Sequence, residues 1–222
     1  MDTNPLIIIL LGKSGAGKGT QVHLLKEKYK LEKIGSGELL RERKKIEDFT
    51  GKKISAVIDN GGIIPTPVVF KLWMQKMEEQ KQQADFNGLI FDGSPRKIRE
   101  AYLMDDALAW YEWEKNIKVI LIDIADEDVI KRIACRRVCG NGACDFIPNS
   151  AEALELSECP SCGTKLENRP EDSPEGVQKR LAWFKEEVEP VINYYKEQDR
   201  LIVINGNQAV EKVFEDIVKA IG

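Results

Sequence analysis

The sequence contains only one histidine, His23, and it has no excess of positive charge. Its 33 Lys and Arg residues are outnumbered by 37 Asp and Glu residues, which gives a formal net charge of −4. Proteins that bind the nucleic-acid backbone need a local excess of Lys and Arg, so this balance argues against that class of partner. His23 lies at helical spacing after a glycine-rich turn, and we interpret it as an exposed helix residue. No general base is conspicuous.

Long hydrophobic runs are also absent. The longest run near the start, Leu6–Leu11, is far shorter than the roughly 20 apolar residues that span a membrane. The residues before it, Met1–Pro5, lack the positive charge of a signal peptide. We therefore expect a cytoplasmic protein without a membrane partner. The apolar fraction of 42% and the charged fraction of 32% do not fit a disordered chain or a coiled coil.

Short apolar runs alternate with stretches of helical pattern along the 222 residues. Continuous apolar runs of this length are typical of strands that are buried on both faces of a parallel sheet. The predicted strands are Leu6–Leu11, Leu89–Asp92, Lys118–Asp123 and Leu201–Ile204. Their alternation with helices predicts an α/β fold with a doubly wound parallel sheet and right-handed crossovers.

Two stretches interrupt this alternation and have the character of insertions. The first is charged, has a helical pattern and ends in Gly and Pro breakers, whereas the second carries four of the cysteines and is rich in loop-forming residues. We therefore predict a core of residues 1–35, 66–136 and 173–222, a first insertion of residues 36–65 and a second insertion of residues 137–172.

A glycine-rich segment, Gly12–Thr20, directly follows the first strand and opens a helix that reaches about Tyr29. This is the context in which the G-x-x-x-x-G-K pattern forms a phosphate-binding P-loop. Glycines allow successive backbone N–H groups to surround phosphate oxygens, and the helix N-terminus adds partial positive charge. Lys18 adds a full charge near the β and γ phosphates. The segment therefore predicts a nucleotide phosphate site.

The loop departs from the general pattern at one position. Ser or Thr usually follows the lysine and binds Mg²⁺, but here Gly19 follows it and Thr20 comes one residue later. We expect Mg²⁺ to be held mostly by phosphates and water, with Asp92 as an outer-shell anchor. The alternative for Asp92 is a surface carboxylate that caps a turn.

Four of the five cysteines form two close pairs. The spacing of Cys139-x₄-Cys144 and Cys159-x₂-Cys162 is typical of a tetrahedral thiolate zinc site. Four thiolates leave no open coordination position, so we predict a structural zinc ion and not a catalytic one. The alternative is that these residues are free thiols. We expect the remaining cysteine, Cys135, to be a buried thiol.

Five motifs occur in an order and spacing that resemble the adenylate kinases, and the resemblance covers essentially the whole chain. The motifs are Gly12–Thr20, Ser36–Arg41, Asp92–Arg96, the Arg132 to Arg137 segment, and Arg169 with Asp172 and Arg180. The resemblance implies a nucleoside monophosphate kinase that moves a phosphoryl group from ATP to AMP with Mg²⁺ and forms two ADP. It also implies that the first insertion binds the monophosphate, that the second is a zinc-bearing lid, and that the protein is a monomer.

The resemblance assigns residues to three overlapping sets. The ATP set is Gly15, Ala16, Gly17, Lys18, Gly19, Thr20, Arg132 and Arg136. The AMP set is Ser36, Arg41, Ile63, Ile64, Gly93, Arg96, Glu100, Arg169 and Arg180. The catalytic set is Lys18, Arg96, Arg132, Arg136, Arg169 and Arg180. Planar guanidinium groups suit a phosphoryl group in transfer, because its charge is spread over three oxygens.

Two residues depart from the family pattern near the acceptor base. Ser94 stands where adenylate kinases typically have Phe, and Glu100 stands where they typically have Gln. A Gln amide can both accept from and donate to adenine, whereas an ionised carboxylate only accepts and would suit the two adjacent donors of guanine. We expect AMP to be the preferred acceptor with weaker discrimination against GMP, unless Glu100 points to solvent and backbone groups read the base.

Two other functions remain open at this point. Within the same enzyme class, the chain could phosphorylate another monophosphate, such as GMP, CMP or UMP. In a different class, it could be a nucleotide-dependent binding protein whose phosphate loop is a switch and whose zinc knuckles contact RNA or protein. Such a switch would need no grip on an acceptor phosphate at Arg41 and Arg96.

Overall fold

The structure is a computed structural model that describes residues 4–59, 62–140, 156–168 and 172–222. Its central sheet is formed by β1 (Leu6–Leu11), β2 (Glu32–Gly35), β3 (Gly88–Asp92), β4 (Ile117–Asp123) and β7 (Leu201–Asn205). The strands are all parallel and lie in the order β2-β3-β1-β4-β7. A separate antiparallel pair, β5 (Val138–Cys139) and β6 (Leu166–Glu167), lies in the second insertion.

Helices cover both faces of the central sheet. They are α1 (Lys18–Tyr29), α2 (Ser36–Arg43), α3 (Phe49–Asp59), α4 (Thr66–Lys81), α5 (Ile98–Trp110), α6 (Asp126–Ala134), α7 (Pro174–Trp183), α8 (Glu189–Glu197) and α9 (Val210–Ile221). A π-helical turn, Phe184–Val188, joins α7 to α8. Within the described ranges, no helix is both long enough and apolar enough to cross a membrane.

Alternate residues of β1 contribute to two separate hydrophobic cores. Ile7 and Ile9 pack with residues of α4, α5 and α8, whereas Ile8 and Leu10 pack with residues of α1, α6, α7 and α9. All four side chains are fully buried, as expected for a strand that is covered on both faces. Because β1 lies between β3 and β4, the order of the strands reverses beside it, and ligands bind at such a point outside the carboxyl ends of the strands.

The doubly wound α/β fold is confirmed, and each predicted strand agrees with the observed one to within a residue at either end. The prediction missed β2, whose sequence Glu-Lys-Ile-Gly reads as a polar linker. The strand lies at the edge of the sheet, where Glu32 is exposed and Ile34 is fully buried. An edge strand this short needs only one core residue, so it leaves no apolar run in the sequence.

The helical pattern of the first insertion is confirmed by α2 and α3, and His23 is exposed on α1 as predicted. The boundaries of the core and of the two insertions stay a prediction. The expectation that Cys135 is buried was wrong, because the residue is the C-cap of α6 and is partly exposed where the chain leaves the core.

Candidate active site

The phosphate loop joins the carboxyl end of the central strand β1 to α1. Gly17 is the N-cap of α1 and has a φ of 91°, in the left-handed region that favours glycine. No side chain caps this helix, and its first turn holds no acidic residue. The first N–H groups of α1 are therefore available to an anion, as a phosphate site requires.

Gly12 at the start of the loop is required for a second reason. A Cβ atom there would lie 2.6 Å from the carbonyl oxygen of Ile122 in β4, and the φ of 147° is also disfavoured for other residues. Gly12 thus allows the loop to turn directly against the neighbouring strand.

Lys18 lies inside the loop, and its Nζ donates to the carbonyl oxygens of Gly12 at 2.7 Å and Lys13 at 2.8 Å. Burial lowers the pKa of Lys18 to about 8, the charge of Asp92 opposes this change, and Arg96 and Arg136 lower it further. The structure therefore brings together three cations that the sequence placed at phosphates. Bound phosphate oxygens would relieve this repulsion.

Asp92 and Gly93 lie at the carboxyl end of β3, next to the phosphate loop. Asp92 pairs in register with Leu10 of β1, and the Gly93 N–H donates to the Leu10 carbonyl at 3.0 Å. The Arg96 Nε donates to the Gly93 carbonyl at 2.8 Å. A Cβ atom at Gly93 would lie 3.2 Å from Lys18 Cε and 3.9 Å from an Arg96 nitrogen. Lys18 and Arg96 therefore converge where the chain has no side chain.

Ser36 and Ser94 form a buried polar pair beside this position. Their hydroxyl oxygens are 2.6 Å apart, and the indole Nε1 of Trp73 donates to Ser36 Oγ at 3.0 Å. Ser94 is fully buried and Ser36 is 4% exposed. A Phe at position 94 could not make this contact, so the departure from the family pattern replaces a ring with a hydrogen-bonded hydroxyl.

Glu100 lies in the first turn of α5 and reaches back along the chain. Its Oε2 accepts from the backbone N–H of Arg96 at 2.8 Å, in the manner of a capping-box carboxylate. Burial raises the pKa of Glu100, whereas the N–H bond and the charge of Arg96 oppose this change. The side chain is only 4% exposed, so the alternative that it points to solvent was wrong.

The arginines on α6, just after α6 and on α7 are held by the protein itself. Asp172 accepts from Arg136 at 2.5 and 2.8 Å and from Arg180 at 2.6 Å. Burial alone would raise the pKa of Asp172, but these two guanidinium groups outweigh it and hold the pKa below its usual range. Arg132 donates to the carbonyl of Gly206, after β7, at 2.9 Å. The predicted residue Arg169 lies outside the described residues.

Three further residues assigned to the monophosphate lie within the first insertion, residues 36–65. Arg41 is exposed in the last turn of α2, Ile64 is buried, and Ile63 is 52% exposed. Sequence reasoning assigned no role to Asp172 as a link between two arginines. The available signal was its position two residues before the N-terminus of the helix that carries Arg180.

The second insertion brings three of the predicted zinc ligands together. The sulfur atoms of Cys139, Cys159 and Cys162 all lie within 4.8 Å of one another, and those of Cys139 and Cys162 are 3.4 Å apart. Hydrogen bonds with Thr164, and then with Cys139, lower the pKa of Cys162 to about 6 against the effect of burial. Three clustered sulfurs, of which that of Cys162 favours the thiolate form, fit a zinc ion. The predicted ligand Cys144 lies outside the described residues.

Comparison with known proteins agrees with this arrangement. A family model described as "Adenylate kinase" matches residues 10–200. An adenylate kinase of Chlamydia muridarum is 36% identical, over 100% of this chain and 89% of the relative. Adenylate kinases of Agathobacter rectalis (36% identical, 97% and 99% covered) and Caldicellulosiruptor bescii (33% identical, 97% and 98% covered) match similarly. The chain therefore belongs to the adenylate kinase family, the nucleoside monophosphate kinases that catalyse the reaction ATP + AMP = 2 ADP.

Proposed function

We propose that this chain transfers a phosphoryl group between ATP and AMP at the crevice that ends β1 and β3. The observation that carries the proposal is the convergence of Lys18 and Arg96 at Gly93, directly beside the phosphate loop. Two cations that meet at a residue without a side chain leave room for phosphate oxygens from two nucleotides.

On the donor side, we assign the ATP phosphates to the loop and to two arginines, one on α6 and one just after it. The N–H groups of the loop and of the start of α1, from Gly15 to Thr20, surround the phosphates in this proposal, and Lys18 neutralises their charge. Arg132 and Arg136 complete the donor site, with Arg136 already oriented by Asp172. Orientation before substrate arrives reduces the entropy that must be lost in the transition state.

On the acceptor side, we assign the AMP phosphate to Arg41 and Arg96. Ser36, Gly93, Glu100, Ile63 and Ile64 surround the rest of the nucleotide in this proposal. Arg169 and Arg180 complete the charge around the transferring group. The support is that Ser36, Gly93 and Arg96 follow the carboxyl ends of β2 and β3, on the same side of the sheet as the phosphate loop after β1.

Transfer in this site requires positioning and charge instead of a general base. An oxygen of the AMP phosphate forms a bond to the γ-phosphorus in line with the bond to the β–γ bridging oxygen, which breaks and leaves ADP. The fixed cations stabilise charge on the three equatorial oxygens. Adenylate kinases use Mg²⁺ with ATP, where the ion neutralises phosphate charge. Asp92, next to the loop, would hold it through water.

The second insertion, residues 137–172, is proposed to act as a lid over ATP, with the first insertion, residues 36–65, over AMP. Cys139, Cys144, Cys159 and Cys162 would hold a zinc ion that keeps the lid in one shape and takes no part in the chemistry. Closure of both insertions would exclude water that would otherwise hydrolyse ATP. A monomeric and cytoplasmic enzyme is part of the same proposal and rests on the family.

A coupled assay of purified protein with ATP, Mg²⁺ and each of the four common monophosphates tests this function. We expect ADP to form with AMP at the highest kcat/KM and only weakly with CMP and UMP. The absence of transfer to every monophosphate would instead favour the nucleotide-dependent binding protein. A higher kcat/KM for GMP, CMP or UMP than for AMP would retain the enzyme class and change its acceptor.

A further inference from the structure

A second lysine of the phosphate loop, Lys13, has no role in the arrangement described above. Its Nζ donates to the carbonyl of Ile124 at 2.8 Å and lies 2.7 Å from Asp126 Oδ1. The side chain is only 15% exposed, and the ammonium also lies 6.0 Å from the centre of the Phe184 ring. An ion pair that is largely shielded from solvent is less weakened by water and salt than an exposed pair.

The backbone of Lys13 contacts the reactive part of the loop. Its carbonyl oxygen accepts from Lys18 Nζ at 2.8 Å and from the Ala16 N–H at 3.2 Å. The side chain is therefore fixed to the segment after β4, while the carbonyl of the same residue orients the ammonium that we assign to the ATP phosphates. A shift of the Lys13 side chain would move an acceptor of Lys18.

Asp126, the partner of Lys13, is the first residue of α6. The same helix carries Arg132, and Arg136 follows two residues after its end. The ion pair thus links the two elements that hold the cations of the proposed donor site. Asp126 also pairs with Lys185 through its other oxygen at 3.2 Å, but Lys185 is 60% exposed and lies outside the loop.

We propose that Lys13 is a positioning residue for phosphoryl transfer. Its ion pair with Asp126 fixes the phosphate loop against α6, so that Lys18, Arg132 and Arg136 keep one geometry around the donor phosphates. This inference rests on the proposed function, since it assigns ATP to the same site. Lys13 itself contacts no substrate in this proposal.

The test compares the full-length parent with five variants, one of which is the conservative change Lys13→Arg. Lys13→Met keeps an unbranched side chain of similar length and removes its charge, and Asp126→Asn keeps the shape of its partner. The double variant completes the cycle. Lys185→Met is the matched control, because it removes the other ion pair of Asp126 and leaves the loop unchanged.

We expect Lys13→Met to lower kcat by about tenfold to a hundredfold, the loss that a misplacement of about 1 Å can cause. KM for AMP should stay within about twofold, because the acceptor site is not moved. Asp126→Asn should give a similar loss, and the double variant should be no worse than either single one. Lys13→Arg should recover most of the lost kcat, and Lys185→Met should behave like the parent.

Three outcomes would overturn the proposal: a kcat of Lys13→Met within about threefold of the parent, losses that multiply in the double variant, or an equal loss in Lys185→Met. Circular dichroism would verify folding, and if Lys13→Met does not fold, Asp126→Asn and Lys13→Arg decide the matter by the same criteria.

Calorimetric titration with ATP separates this inference from the proposed function. ATP affinity should fall about tenfold in Lys13→Met even if the parent transfers nothing to AMP, and unchanged affinity together with unchanged kcat would reject the positioning role.

Discussion

The hydroxyl oxygens of Ser36 and Ser94 lie 2.6 Å apart on the buried side of the proposed acceptor site. Trp73 donates to Ser36, so one of the two serine protons is used between the serines and the other remains for a further partner. Ser94 therefore adds a hydroxyl partner for Ser36 that a phenylalanine would not supply, and the pair still keeps one donor.

Ser94→Ala should destabilise the protein and weaken AMP binding. Loss of a partner for a buried polar group costs about 1 to 3 kcal/mol, so the free energy of unfolding in urea should fall by that amount. KM for AMP should rise several-fold while KM for ATP stays unchanged. Ser55→Ala is the control, because the Ser55 hydroxyl donates to Asp59 on an exposed surface. Equal stability of the Ser94 variant and the parent would show that the pair is energetically unimportant.

Lys18→Ala and Arg96→Ala should each nearly abolish turnover while the fold stays intact. Each removes a fixed positive charge where the phosphates of two nucleotides meet, and such a charge can be worth about 10³ to 10⁵ in rate. Steady-state kcat with ATP and AMP is the measurement. Arg99→Ala, an exposed change on the same helix as Glu100, should keep full activity. If Lys18→Ala or Arg96→Ala turned over within about threefold of the parent, the substituted residue would be removed from the mechanism.

The lowered pKa of Lys18 predicts an alkaline limb in the pH profile. Burial shifts this pKa from its ordinary value of 10.5 to about 8, so the ammonium is present below about pH 8 and is lost as the pH rises. The profile of kcat/KM for ATP reports the free enzyme and should fall above about pH 8. The limb of kcat should lie at higher pH, because bound phosphates stabilise the charged form.

Lys18→Arg is the control for that profile, because a guanidinium stays protonated throughout the range. Residual activity of this variant should show no limb near pH 8. A parent profile that is flat up to pH 10.5 would contradict the lowered pKa.

The cysteine cluster predicts one zinc ion per chain. Cys159→Ser and Cys162→Ser should each lose the metal, whereas Cys135→Ser should keep it, because Cys135 is not part of the cluster. Structural zinc contributes roughly 10 to 16 kcal/mol of apparent binding energy in small peptides, but here a separate core should survive. The two variants should therefore melt at a lower temperature than the parent but remain folded at about 25 °C.

Metal analysis of protein purified without chelators decides that prediction. A chain without zinc, or a melting temperature that does not change when zinc is removed, would count against the site.

Local patterns in the sequence predicted the central strands and the phosphate loop because each is determined by adjacent residues. The short, β-branched apolar run Leu6–Leu11, stopped by a glycine, is typical of a strand buried on both faces, and Gly17 and Lys18 act within one turn of chain. The edge strand β2 could not be predicted, since its Ile34 is a single core residue among polar neighbours.

Contacts between residues distant in sequence could not be predicted, because local patterns report only on neighbouring residues. Lys13 and Ile124 are 111 positions apart, and Ser36 and Ser94 are 58 positions apart. Neither contact follows a sequence period, because both depend on how the crossovers pack. The order of the arginines indicated a phosphate site, but only the fold shows that Asp172 joins two of them.

The carboxylate of Glu100 has two neighbours that bear on acceptor choice. One is the Arg96 N–H, which donates to it and thereby fixes the start of α5 next to the proposed phosphate site. The other is the Lys97 N–H, the N-cap of the same helix. A carboxylate that accepts from these N–H groups has no donor to offer to a base, and only its remaining lone pairs could accept from one.

Glu100→Gln should therefore raise the preference for AMP over GMP. The amide oxygen can keep accepting from the Arg96 N–H, while the amide nitrogen adds a donor for the unprotonated ring nitrogen N1 of adenine, where guanine carries an N–H instead. An unpaired buried polar contact costs about 1 to 3 kcal/mol, so the ratio of kcat/KM for AMP to that for GMP should rise by about fivefold to a hundredfold. Glu100→Ala separates base reading from helix capping.

Loss of the capping carboxylate in Glu100→Ala should lower kcat for both acceptors, because Arg96 is no longer fixed, and should leave their ratio close to that of the parent. The measurement is kcat/KM for each acceptor at saturating ATP in the parent and in both variants. An AMP-to-GMP ratio that is the same in Glu100→Gln and in the parent would show that Glu100 only positions Arg96. A parent that prefers GMP outright would overturn AMP as the acceptor, because guanine would then use the lone pairs that the Arg96 N–H leaves free.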